Sequence, residues 1–144
     1  MTSLSAGSGA SSRVWFDLAR AGNFPSVASN VLAALVISSS GSSWPSGPLL
    51  IVTMLAGCLI YAGGATFNDV ADAGFDARHR PERAIPSGRV TRRAAAWVAA
   101  IEIAIGAGLL VILGAAVAWL AALIATILIY DWFHKRWAGS VFLM

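Results

Sequence analysis

From Leu49 to Phe67 the chain runs for 19 residues without a charged side chain. Wound as a helix rising about 1.5 Å per residue, that stretch spans about 28 Å, close to the ~30 Å hydrocarbon thickness of a bilayer. Composition agrees with a lipid solvent. Of 144 residues, 58% are hydrophobic and 12% charged, whereas an ordinary soluble domain carries about 25% charged residues. A soluble domain of this length could bury a core, but it would need a polar surface to cover it, and too few polar side chains exist to supply one.

Three further apolar stretches follow the same logic. Phe24 to Ser40 is interrupted by Ser26, Ser29 and Asn30 and is expected to form a first span near 24–40. Ala94 to Tyr130 is apolar except for Glu102. One straight helix of that length would reach about 55 Å, so the chain is expected to fold back. Gly114, followed by small residues, is the expected turn between spans near 94–112 and 115–130. Ala138 to Met144 resembles the start of a fifth apolar run that stops almost at once, so the chain reads as cut short. The expected architecture is an all-α, multi-pass transmembrane helix bundle of four spans plus the start of a fifth.

Met1 to Ser12 is uncharged and rich in Ser, Gly and Ala. It lacks the basic start and apolar run of a secretory signal and reads as a disordered tail (1–12) preceding a transmembrane helical domain (13–144). The spans themselves would then direct insertion.

Ten basic residues against seven acidic ones give a net charge of +3, but their distribution argues for membrane topology and against nucleic acid as a partner. Arg13 and Arg20 precede the first span. Arg78, Arg80, Arg83, Arg89, Arg92 and Arg93 lie between the second and third, and Lys135 and Arg136 follow the fourth. The opposite connections, Gly41 to Pro48 and the turn near Gly114, carry no charge. The positive-inside rule makes the basic side cytoplasmic, together with the N-terminus and an Asp/Arg loop over 68–93. Cys58, the sole cysteine, lies in an apolar run and supports neither an intrachain disulfide nor a cysteine-based metal site.

At the basic end of the second span come Asn68, Asp69, Asp72 and Asp76. If the helix continues past Phe67, its 3.6-residue turn puts Asn68, Asp72 and Asp76 on one stripe, with Asp69 one turn from Asp72. Like charges so placed repel unless a cation sits among them. Mg2+ suits that role, because it accepts a few carboxylates and shares its remaining positions with water and substrate phosphates. The plainer reading is a solvated helix end. Immediately downstream, Arg78 to Arg89 forms a segment stiffened by Pro81 and Pro86 and rich in guanidinium, whose planar fork matches phosphate oxygens. Carboxylates for Mg2+ beside arginines for phosphate describe a diphosphate site. Topology alone would also explain the arginines.

The run Asn68-Asp69-x-x-Asp72-x-x-x-Asp76, followed by Arg80-Pro81-x-Arg83 and Ile85-Pro86-Ser87-Gly88, resembles the first signature of the UbiA prenyltransferase superfamily. Weaker similarities are in register: Arg20-x-x-Asn23-x-Pro25-x-x-x-Ser29-Asn30, and Tyr130 with Lys135-Arg136. The resemblance covers Leu18 to the end. It implies an incomplete version of a nine-helix fold in which Mg2+ clamps an allylic prenyl diphosphate between two aspartate-rich motifs. Asp69, Asp72 and Asp76 would be the catalytic metal ligands with help from Asn68, which would also face the diphosphate together with Asn23, Arg80, Arg83, Lys135 and Arg136. The implied reaction transfers a prenyl group to an aromatic or other lipophilic acceptor.

The second motif has no counterpart, since Asp131 is followed by His134 and Lys135 without a partner acid, and Ala84 stands where proline is usual. Four spans with one motif would clamp the diphosphate from one side, so a second chain or a homodimer is expected to complete the site. A different reading is a non-catalytic membrane protein binding divalent cations and phosphate groups through the same segment. Phosphatidyl-alcohol transferases fit less well, because Ala77-Arg78 follows the aspartates instead of preceding them. Glu102, the sole charge within a span, is expected to face the bundle interior, either as an acceptor-binding or proton-accepting group or hydrogen-bonded to a neighbouring helix. Trp97, Trp119, Trp132 and Trp137 read as packing residues and interface anchors.

Overall fold

The computed structural model describes residues 11–39 and 44–133. Among these the chain is all helical: α1 (Ser12–Leu18), a 3-10 turn (Ala21–Asn23), α2 (Phe24–Ser38), α3 (Gly47–His79), α4 (Arg92–Ile112) and α5 (Val117–Phe133). Three segments, Ala21–Ser38, Gly47–His79 and Arg92–Ile112, are long and apolar enough to cross a membrane. Val117–Phe133 is an apolar helix of 17 residues, about 25 Å long. The 1–12 tail (to Ala10), the end of the first expected span at Ser40, and everything from His134 onward, including Lys135, Arg136, Trp137 and the expected fifth run, lie outside the described residues.

The principal difference from expectation is the length of α3. Its 33 residues extend about 50 Å, roughly 20 Å more than a bilayer core. The expected 68–93 loop is therefore helical through His79, and only 80–91 connects α3 to α4. Gly74 weakens the helix in Asn68–His79 without breaking it, and Pro81 ends it by driving Arg80 out of helical geometry (φ −146°, ψ 60°). The aspartates thus project on a rigid rod beyond the apolar stretch.

Helix ends follow local chemistry. Thr91 caps α4 by accepting from Ala94 N at 3.1 Å. The turn at Gly114 closes with Gly114 N to Val111 O (2.9 Å) and Ala115 N to Leu110 O (2.9 Å). This paired arrangement needs a left-handed residue, and Gly114 supplies it at φ +87°.

The bundle is held chiefly by α3 against α4, which run antiparallel. A β-carbon on Gly63 would stand 2.8 Å from Ala99 O, and one on Gly106 would stand 2.8 Å from Ala56 O. Ala56-Ile60-Gly63 and Ala99-Ile103-Gly106 are the same spacing read in opposite directions, so the two backbones meet reciprocally. Small residues at a crossing are how helices gain contact in lipid, where no hydrophobic difference drives them together. Ile112 and Trp119 are 82% and 80% exposed, as lipid-facing side chains are. A separate cluster of Val14, Leu18, Val70, Val90 and Ala95, with Ala84 and Ile85 against it, gathers α1, the end of α3, the connecting loop and the start of α4.

Gly63→Ala and Gly106→Ala should each push the helices apart and lower the melting temperature of the detergent-solubilised chain, by roughly 1–3 kcal/mol in stability. The double variant should lose less than the sum, because one separation relieves both clashes.

Candidate functional site

Carboxylates on α3 project where the connecting loop folds back over them. The loop is knit by Arg83 N to Arg80 O (3.1 Å), Ser87 N to Arg83 O (3.0 Å) and Val90 N to Ala84 O (3.1 Å). Arg89 adds Nη2 to Glu82 O (2.6 Å), and Arg92 Nε fixes the start of α4 to Val70 O (3.0 Å). Ala84 and Ile85 plug into the apolar cluster. The guanidinium of Arg83 is thereby aimed at α3.

There its Nη1 donates to Asp69 Oδ1 at 3.0 Å and to Asp76 Oδ2 at 2.9 Å. One nitrogen with two hydrogens satisfies both. Arg20 Nη2 approaches Asp69 Oδ1 from the other side at 3.4 Å. Asp76 is 1% exposed and Asp72 is buried at 6%. Two carboxylates on one stripe of α3 thus share one guanidinium, with a second at the rim, which offsets the repulsion that their spacing would otherwise create.

The expected site residues divide as follows. Asp69, Asp76 and Arg83 come together. Asp72 lies between them along α3, about 60° around the helix from Asp69. Arg80 is exposed, and its backbone N–H bonds Asp76 O at 2.7 Å. Asn23 reaches a different part of α3: its Nδ2 donates to the Tyr61 hydroxyl at 2.6 Å, two turns before Asp69, and Phe24 meets Tyr61 edge to face. Lys135 and Arg136 lie outside the described residues. Arg20 was not among the expected site residues, although Arg20-x-x-Asn23 carried the signal. Tyr61, in an apolar run, carried none.

The donor set suits a hard divalent cation. Asn68 Oδ1 and Asp76 Oδ1 are buried without a hydrogen-bond partner, and a buried oxygen in that state is one that a cation would satisfy. Among the described residues no group of three His, Cys, Asp or Glu side chains is placed to hold a metal by itself. An ion there would draw on oxygens of Asn68, Asp69, Asp72 and Asp76 together with water or phosphate oxygens, the usual manner of Mg2+.

The profile described as the UbiA prenyltransferase family matches residues 27–144. The chain is 35% identical over 121 residues to a digeranylgeranylglyceryl phosphate synthase of Methanopyrus kandleri, an alignment covering 83% of this chain and 43% of that protein. It is 38% identical over 92 residues to the similarly named protein of Thermococcus gammatolerans, covering 62% and 33%. With a 4-hydroxybenzoate octaprenyltransferase of Polaromonas it shares 36% over 111 residues, covering 75% and 38%. The chain thus spans less than half the length of these relatives. No solved structure matches it. With the profile matching most of its length and the aspartate signature standing on one rigid helix, the chain belongs to the UbiA prenyltransferase family.

Proposed function

We propose that this chain supplies the first aspartate motif of an intramembrane prenyltransferase, which moves a prenyl group from an allylic prenyl diphosphate to a lipophilic acceptor. The carrying observation is the convergence of Asp69, Asp76 and Arg83 at the end of a membrane-length apolar helix, with Asn68 Oδ1 and Asp76 Oδ1 lacking partners. Relatives named for both a glyceryl phosphate lipid and 4-hydroxybenzoate support the general reaction. They leave the acceptor as a lipophilic molecule with a nucleophilic atom.

Ionising an allylic diphosphate produces a carbocation and a highly charged leaving group. A divalent cation, which we take to be Mg2+, would offset the leaving charge when bound. Asn68, Asp69, Asp72 and Asp76 would hold it. Among the described hydrogen bonds Arg83 uses only Nη1, which leaves Nε and Nη2 for phosphate oxygens. Arg20, with a side chain 42% exposed, stands at the rim for the same purpose. Charge-assisted donors fixed by a docked loop stabilise developing negative charge without reorganising. The apolar helices would shelter the prenyl tail and exclude water from the cation.

By sequence position Lys135 and Arg136 would join the phosphate-binding set, and Arg80 would attend its entrance. Asn23 acts through Tyr61 in this reading. The arginine distribution supports a cytoplasmic position for the aspartate end and the N-terminus. The opposing wall would come from a segment with the counterpart motif, whether further along the same protein, in a partner polypeptide or in a second copy.

Asp72→Ala should abolish Mg2+-dependent binding of a radiolabelled prenyl diphosphate to membranes containing the chain, while membrane insertion stays intact. Binding at the wild-type level would refute the assignment. Transfer to candidate acceptors, assayed in the same membranes, separates an enzyme from a protein that only binds cation and phosphate. Arg83→Gln should cost on the order of 3 kcal/mol in stability, because it strands the buried Asp76 carboxylate. Arg83→Lys should recover part of that loss but little diphosphate binding, since an ammonium lacks the planar fork. Thermal unfolding and ligand binding of the two solubilised variants check this pair.

A further inference from the structure

Below the charged cluster the fold leaves a mostly apolar cavity of about 360 Å³, within the roughly 300–1,000 Å³ range of small-molecule sites. Its walls include Trp15, Ala19, Phe24, Cys58, Ala62 and Glu102. Three connections join it to the aspartate site. Ala19 is followed directly by Arg20, which reaches Asp69. Cys58 and Ala62 precede Asp69 on the same stripe of α3, since spacings of four and seven residues recur on one helix face. The Glu102 carboxyl lies beside the Thr66 side chain, and Thr66, 1% exposed, stands one turn before Asp69.

Glu102 is the polar feature of this cavity. A carboxyl at bilayer depth is costly and survives where it has a partner or a task. Thr66 accounts for part of the group, but Oε2 is buried with no donor. A shielded acceptor atom beside an apolar cavity suits a ligand with an apolar body and one hydrogen-bond donor.

Resting on the prenyl-transfer reading above, the geometry points to this cavity as the seat of the acceptor, an apolar molecule presenting a hydroxyl, with Glu102 as the hydrogen-bond partner of that hydroxyl. The nearest cavity residue on α3, Ala62, stands about two helical turns before Asp69, so the acceptor would sit deeper than the diphosphate by about that distance. Glu102 binds and orients the hydroxyl, and the aspartates handle the leaving group. A phenol and a glyceryl lipid share this chemistry.

The test uses the full chain in detergent micelles, titrated with a brominated 4-alkylphenol and with its methyl ether, which lacks the donor. Tryptophan quenching reports binding, and Trp15→Phe identifies the signal from the cavity. The phenol should bind wild type about tenfold more tightly than the ether, the size of one hydrogen bond to a carboxyl group. Glu102→Leu should bind both alike, and Glu102→Gln, whose amide oxygen remains an acceptor, should keep most of the preference. A purely structural role for Glu102 would weaken both ligands together and leave their ratio unchanged.

Equal binding by wild type, or a preference that survives Glu102→Leu, overturns the assignment. A brominated alkylglycerol and its methylated counterpart form a second arm. Discrimination in either arm supports the site, and the stronger arm identifies a phenolic or a glyceryl hydroxyl. Mg2+-dependent prenyl diphosphate binding is measured on the same samples. Its absence with hydroxyl discrimination intact overturns the prenyl-transfer reading and leaves the cavity's ligand assigned, and the converse overturns the cavity alone.

Discussion

Two carboxylates held by one guanidinium organise the end of this molecule. Asp69 and Asp76 project from the same side of α3, and alone they would repel each other and weaken the helix that carries them. Arg83 Nη1 contacts both. Its aim depends on the 80–91 loop, the loop depends on Ala84 and Ile85 burying beside Val14, Leu18 and Val70, and that cluster exists only if α1 folds over the end of α3. A chemical site and a small water-facing core are therefore the same structure, seen from its charged and its apolar side.

The rest of the bundle obeys a different solvent. Within the apolar lengths of α3 and α4 there is little to gain from hiding hydrophobic surface, and contact comes from the close approach at Gly63 and Gly106. The overshoot of α3 joins the two regimes: one continuous rod carries apolar residues through lipid and then presents acids beyond it. The ionic groups stand beyond the apolar length, paired with one another, while the cavity beside Glu102 lies along that apolar length.

Much of this was legible in the sequence, because lipid imposes coarse rules. Uncharged stretches of membrane length follow from the cost of placing charge in hydrocarbon, and the fold-back at Gly114 follows from the fixed thickness of that layer. The aspartate stripe was readable for a similar reason, since helical periodicity is fixed. What escaped were matters of tertiary contact. The aspartate stripe already supposes a helix running past Phe67, and where that helix stops depends on Pro81 and not on the charge density that bounds 68–93 as a loop. Arg20 lies 49 residues from Asp69, and no local pattern reports that separation. Asn23 carried a family-like motif, yet its amide turns to Tyr61, whose hydroxyl was hidden among apolar neighbours.

The spacing of the central ion pair also bears on how the molecule assembles. Arg83 is only seven residues from Asp76 and fourteen from Asp69, so the entropy of closing those loops is small. The acids therefore find their counter-charge close by in the chain, in whatever order the surrounding helices dock.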